Sequence, residues 1–205
     1  MRKHPKFLAL ALALCMILCM SVTAFAADIE ESGGSGSTPV SLSSTEDGTL
    51  GGDPSATAMN VTVPTALPMA MSQTGDVTTA DNCQIINNSY GAVRVKSVTI
   101  SAASDWNLTA FGDKSTLAGE KVDSNKLGFA LTLGGGTQVV TDSSNTATQT
   151  LISTPLTGCF MTGIGDASGN AIDVDYAAIV TPLSSAVTDT TVANVVFVIE
   201  WDTID

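Results

Sequence analysis

The sequence predicts an all-β fold, a β-sandwich of antiparallel strands behind a flexible Gly/Ser-rich N-terminal tail. Three observations predict it. Leu127, Phe129, Leu131 and Leu133 alternate with smaller or polar residues, as in a strand with one buried face. Comparable short runs recur at intervals of roughly 8–12 residues with turn signals between them, the spacing of sandwiches and barrels. After the N-terminal apolar run, no window sustains the period of an amphipathic helix.

The chain divides into three stretches. Residues 1–26 read as a secretory signal: Arg2, Lys3 and Lys6 precede an apolar run from Phe7 to Met20, and Ala24-Phe25-Ala26 offers small residues for cleavage. A membrane-spanning helix needs about 20 apolar residues, so the run is short for an anchor and no integral anchor is expected after cleavage. Leu14 and Leu18 precede Cys15 and Cys19, where a lipoprotein site would have a small residue. Residues 27–60 form a low-complexity tail, with Ser32-Gly33-Gly34-Ser35-Gly36-Ser37 as its most linker-like part. Residues 61–205 are the expected sandwich domain.

Cleavage would remove the only histidine, His4, and three of the eight basic residues. Five basic residues then face 20 acidic ones, a net charge of −15. Phosphate backbones repel such a chain, so nucleic acid is not an expected partner.

Within the domain, Pro64 and Pro68 interrupt the alternation that starts at Val61, which places this segment at a sheet edge. Cys83 to Ile86 reads as a short strand. In Ala92 to Ala102, Val93 and Val95 share one parity while Val98 and Ile100 share the other. An ideal strand cannot bury both pairs on one face. Either an extra residue near Lys96-Ser97, a β-bulge, restores the register, or the strand bends from one sheet into the other. Trp106, Leu108 and Ala110 share a parity. Gln138 to Thr154 reads as a weak strand with a long loop, and Cys159 to Met161 starts another strand. Val174, Tyr176, Ala178 and Val180 alternate. Ala193 to Trp201 is apolar on both parities, which predicts a central strand with both faces covered.

The chemistry narrows by absence. A mature chain without histidine has no Ser-His-Asp triad, no Cys-His pair and no histidine metal site. No Gly-x-Ser-x-Gly elbow occurs. Asp173 with Asp175, and Glu200 with Asp202, are spaced to project from one strand face; in so acidic a chain they read as solvated carboxylates before they read as a glycosidase pair. Asp166, Asn170, Asp173 and Asp175 could gather oxygens for calcium, but their spacing matches no calcium loop. No catalytic residue, metal site or cofactor is nominated, and the chain is not expected to be an enzyme. Cys83 and Cys159 could close one disulfide in an exported protein or remain two buried thiols. Trp106 and Trp201 read first as core residues, given the area an indole buries.

Trp106-Asn107-Leu108 is a Trp-x-Leu tripeptide, followed by a loop and the Leu127-to-Leu133 strand. The chain then ends in an apolar strand that finishes Trp201-Asp202-Thr203-Ile204. This order resembles the WxL domain of Gram-positive surface proteins, which carries one Trp-x-Leu motif mid-domain and a second near its C-terminus. The resemblance implies a secreted, β-rich domain held noncovalently at the cell wall through peptidoglycan. Trp106, Leu108 and Trp201 would then be the wall-binding candidates. No Leu-Pro-x-Thr-Gly sorting signal occurs, so retention at the surface would be noncovalent or by polymerisation. The second expectation is a structural subunit of an extracellular fibre, pilus or biofilm matrix, assembling with itself or other surface proteins by strand addition through the tail or the Val61 edge.

Overall fold

In the computed structural model, the described residues are 40–50, 52 and 55–204. The expected signal segment and the tail as far as residue 39 lie outside them. The chain divides into two units, one ending at Ala56 and the other running from Thr57.

The second unit is all-β and sandwich-like, with twelve strands in chain order. They are β1 (Val61–Thr62), β2 (Met69–Met71), β3 (Val77–Thr79), β4 (Gln84–Asn87), β5 (Val93–Ala102) and β6 (Asn107–Thr109). After a 3₁₀ turn at Lys114–Thr116 come β7 (Lys126–Leu133), β8 (Val139–Val140), β9 (Thr148–Ile152), β10 (Phe160–Met161), β11 (Ala171–Val180) and β12 (Ala193–Trp201). One sheet runs β1-β4-β11-β7-β6, with β8 also on β7. The other runs β10-β5-β12, with β9 also on β5, and β2 and β3 form a separate two-stranded ribbon. Every pairing is antiparallel except β6 with β7, which run parallel. That exception follows from chain path: the irregular segment from Ala110 to Asn125 carries the chain from the end of β6 back to the start of β7. The same segment lies against the outer face of β7, and a Cβ on Gly128 would stand 2.9 Å from the Ala110 carbonyl oxygen.

Strand β5 explains how the two sheets share one core. Val98 pairs with Phe197 and Ser97 with Val198, but Ile199 pairs with Val95. Lys96 is therefore an extra residue, the bulge expected from the parity break. It turns Val93, Val95, Val98 and Ile100 to one face, where all four are fully buried. A second irregularity on the opposite edge, at Leu151 of β9, keeps that neighbour in step. Facing β5 across the core are Ile85, Leu108, Leu127, Phe129, Leu131, Val174 and Tyr176. Phe129 and Tyr176 stack with ring centroids 6.0 Å apart.

Two buried polar residues hold the corners. Asn87, with no exposed surface, donates from Nδ2 to the carbonyls of Gly91 at 2.9 Å and Thr162 at 2.8 Å, and accepts from the Ser89 N–H at 2.9 Å. It thereby ties the passage from β4 to β5 to the loop after β10. Thr141 accepts the Phe129 N–H at 2.8 Å and donates to the Thr109 carbonyl at 2.6 Å, linking β7 and β6 to the end of β8.

Two expectations need correcting. Strand β12 is not central: it pairs with β5 alone among the described residues. Its parity splits accordingly. Val195, Phe197 and Ile199 pack against the core, whereas Val196 and Val198 are 54% and 42% exposed. Two apolar parities signal a covered strand only if the second face meets another layer, and among the described residues none does. The Trp106-Leu108-Ala110 face holds only in part: the strand spans Asn107–Thr109, Leu108 is buried and the half-buried Trp106 packs against the core, but Ala110 is exposed.

Deleting Lys96 would slip half of β5 onto the wrong face, so it is expected to destabilise by more than about 4 kcal/mol and to abolish cooperative unfolding. Lys96→Ala keeps the residue count and removes only the 2.9 Å surface ion pair with Glu200; it should cost less than about 1 kcal/mol. Urea denaturation of the two variants checks this.

Candidate functional site: a cleft beside Trp106

Three segments converge at one end of the β5–β12 pair. The turn after β5 contributes Ser104, Asp105 and Trp106. The turn before β7 contributes Asp123 and Asn125, and the loop from β11 to β12 contributes residues from Leu183 to Thr191. Between them lies an open cleft of about 470 Å³. Backbone bonds fix the walls: Trp106 N–H to Ala103 O at 3.1 Å, Asn107 N–H to Asn125 O at 2.8 Å, and Asp123 N–H to Pro182 O at 2.9 Å.

The backbone around this cleft is unusual. Asp105, Asp123, Asn125 and Asp189 have φ of 67°, 61°, 51° and 49°, and they are the non-glycine residues with positive φ among those described. Three line the cleft and the fourth lies within its third wall. Asp and Asn tolerate this conformation because a short polar side chain can bond locally; its concentration at one place marks a shaped surface. Asp123 also holds the third wall. Its Oδ1 accepts the Ser184 N–H at 2.8 Å, and its other oxygen accepts the Ser184 hydroxyl. The hydroxyl first, and then the N–H, hold the Asp123 carboxyl below the usual carboxylate range. Close by, the buried Ser124 Oγ has no hydrogen-bond partner among the described residues.

Trp106, half-buried and packed against the core, therefore lines the cleft together with residues that bear carboxylates, an amide and hydroxyls. That combination suits a ligand with an apolar face and many hydroxyl or amide groups. The shift at Asp123 runs opposite to the one a general acid needs.

The three wall-binding candidates do not come together. Leu108 is 1% exposed and belongs to the core. Trp201 pairs with Val93, at the far end of β12 from Ala193 and Ala102; eight residue steps along a strand separate these ends by about 27 Å. Its ring lies over Gly91, where an added Cβ would approach Cζ3 to 3.0 Å. Trp106 alone reaches the cleft. Sequence reasoning missed the other two walls. The available signals were the Asp/Asn residues at turns and the unpatterned Ser/Thr run before β12.

The remaining candidates have local roles. Cys83 and Cys159 are free thiols in the structure, so the disulfide they could form is not made there. Cys159 is in the core, where burial raises its pKa. Asp173 accepts from Gln84 at 2.8 Å. Glu200 meets Arg94 at 2.8 Å and Lys96 at 2.9 Å, and Arg94 also meets Asp202 at 3.4 Å. Asp166 is occupied by Ser168 and Asn170 by the Asn87 carbonyl. No group of three or more His, Cys, Asp or Glu side chains able to hold a metal occurs among the described residues.

The Asp123–Ser184 tie has a pH signature. Because the folded-state pKa is depressed, the tie is complete above the ordinary aspartate value of about 3.9 and is lost as pH falls through the lower folded value. In a Trp201→Phe background, Trp106 emission should stay flat from neutral pH to about pH 4 and change below it. Asp123→Asn should shift that emission already at neutral pH. Fluorescence titration of both proteins measures this.

Comparison with family models, curated proteins and solved structures finds no match to this chain.

Proposed function

We propose that this is a secreted, non-enzymatic cell-surface protein that associates noncovalently with the peptidoglycan of a Gram-positive wall, and that the Trp106 cleft makes the contact. The observation that carries this reading is the cleft: an open groove lined by Trp106 and bounded by Asp, Asn, Ser and Thr residues on unusually shaped turns. Glycan strands and their peptide stems offer the matching chemistry, with flat apolar sugar faces ringed by hydroxyl and amide groups. A neutral or weakly basic part of that polymer also suits a chain with 20 acidic and eight basic residues. The N-terminal signal pattern supports export, and the Trp-x-Leu resemblance points to the same setting. In this reading the three residues do different work: Trp106, which lines the cleft, meets the ligand, while Leu108 is buried in the core and Trp201 lies over Gly91.

A second reading, a structural subunit of an extracellular fibre or matrix, is favoured by the open edge of β12. An unpaired edge is what strand addition requires. Assembly into a fibre further requires a donor strand at a different place on the chain, since only head-to-tail contacts propagate.

Co-sedimentation with purified Gram-positive sacculi tests the first reading. The protein should pellet saturably. Trp106→Ala, with an unchanged circular dichroism spectrum, should weaken binding by about tenfold or more. Trp201→Phe should leave it within about twofold. Failure of the native protein to pellet would end the wall reading.

A further inference from the structure

Strand β12 runs along β5 for nine residues and has no strand on its other side among the described residues. Which backbone groups it leaves open can be worked out. The Val192 carbonyl accepts from Ala103, and the Asp202 N–H donates to Ala92. Both even-numbered ends thus turn toward β5. The bulge lies on β5 and not on β12, so the alternation along β12 is unbroken. Ala193, Val195, Phe197, Ile199 and Trp201 therefore aim their N–H and C=O groups away from β5, at the open edge. The same five residues pack against the core yet remain only half-buried, because the sheet stops beside them.

We infer that this edge pairs with the same edge of a second copy, antiparallel across a two-fold axis at Phe197. In that register all five residues pair: Phe197 with the partner's Phe197, Val195 with the partner's Ile199, and Ala193 with the partner's Trp201. The half-buried inward row of each copy is covered by that of the other. On the outer face Val196 meets the partner's Val198, joining side chains that are 54% and 42% exposed into one apolar stripe. Charge selects this direction. Glu200 falls opposite the partner's Asn194 and Asp202 opposite the partner's Val192, whereas parallel pairing would set Glu200 against Glu200. A two-fold contact of this kind closes at two subunits and does not propagate. The pairing stands independently of the wall reading. Its consequence rests on that reading: two Trp106 clefts on one dimer would engage a repeating polymer with avidity.

Sedimentation velocity of the purified protein across a concentration series tests the pairing. A reversible dimer is expected, with a dissociation constant on the order of micromolar for so narrow a contact. Val195→Pro removes an N–H that faces the open edge and none that faces β5. It should give a monomer with an unchanged circular dichroism spectrum. When Val196→Cys chains are mixed with Val198→Cys chains and oxidised with glutathione disulfide, peptide mapping should find a disulfide joining position 196 of one chain to position 198 of the other. A monomer at every concentration would overturn the inference, as would a dimer that survives Val195→Pro. A dimer lost in Val40→Ser/Leu42→Ser, where both native side chains are nearly fully exposed, would overturn it in favour of the N-terminal arm as the added strand. Large assemblies would overturn it in favour of the fibre reading.

Discussion

A strand alternates its side chains between two faces, so it can serve a single core over ten residues only if its register fits throughout or is interrupted once. Strand β5 is interrupted at Lys96. The extra residue lets Val93 and Val95 bury beside Val98 and Ile100, and it sends the Lys96 side chain outward to Glu200. Much of the second sheet hangs on that arrangement. Strands β9 and β10 share one edge of β5, and β12 takes the other. The turn that follows β5 carries Trp106 to the cleft. Without the bulge, four buried aliphatic side chains would compete for two faces, and the sandwich would lose the strand that orders its second layer.

The polar corners do a different job. Asn87 and Thr141 are buried and make several hydrogen bonds each, to backbone groups that no ladder reaches. Such groups are costly to leave unpaired in a low-dielectric interior. They therefore restrict how the chain can pass between layers, while the aliphatic side chains supply most of the burial. The result is a domain firm at its corners and open along β12.

Much of this was legible in the sequence because it depends on period and parity. The all-β class, the alternating Leu127-to-Leu133 strand and the break at Lys96 are all local patterns. What was not legible depends on the neighbours of an element. Ala193 to Trp201 looks like a covered strand because both parities are apolar, but among the described residues it pairs with β5 alone, which makes it an edge, and Val196 and Val198 stay exposed on its outer face. The parallel pairing of β6 with β7 depends on a long return path that no local pattern encodes. The site shows the same division. Trp106 stood out by its rarity, but Asp123, Asn125 and the residue 183–191 loop join it only through the fold. Trp106 and Trp201 looked like a matched pair in sequence and lie at opposite ends of β12 in space.

In the proposed wall contact a single tryptophan meets the ligand while the other packs on Gly91, and two tryptophans give two resolvable indole signals. Nitrogen–proton correlation NMR can follow both resonances while soluble peptidoglycan fragments are added. The Trp106 indole signal should shift progressively and saturably while that of Trp201 stays in place. Movement of Trp201 alone, or of neither indole at saturating fragment, would contradict the assignment of Trp106 to the ligand.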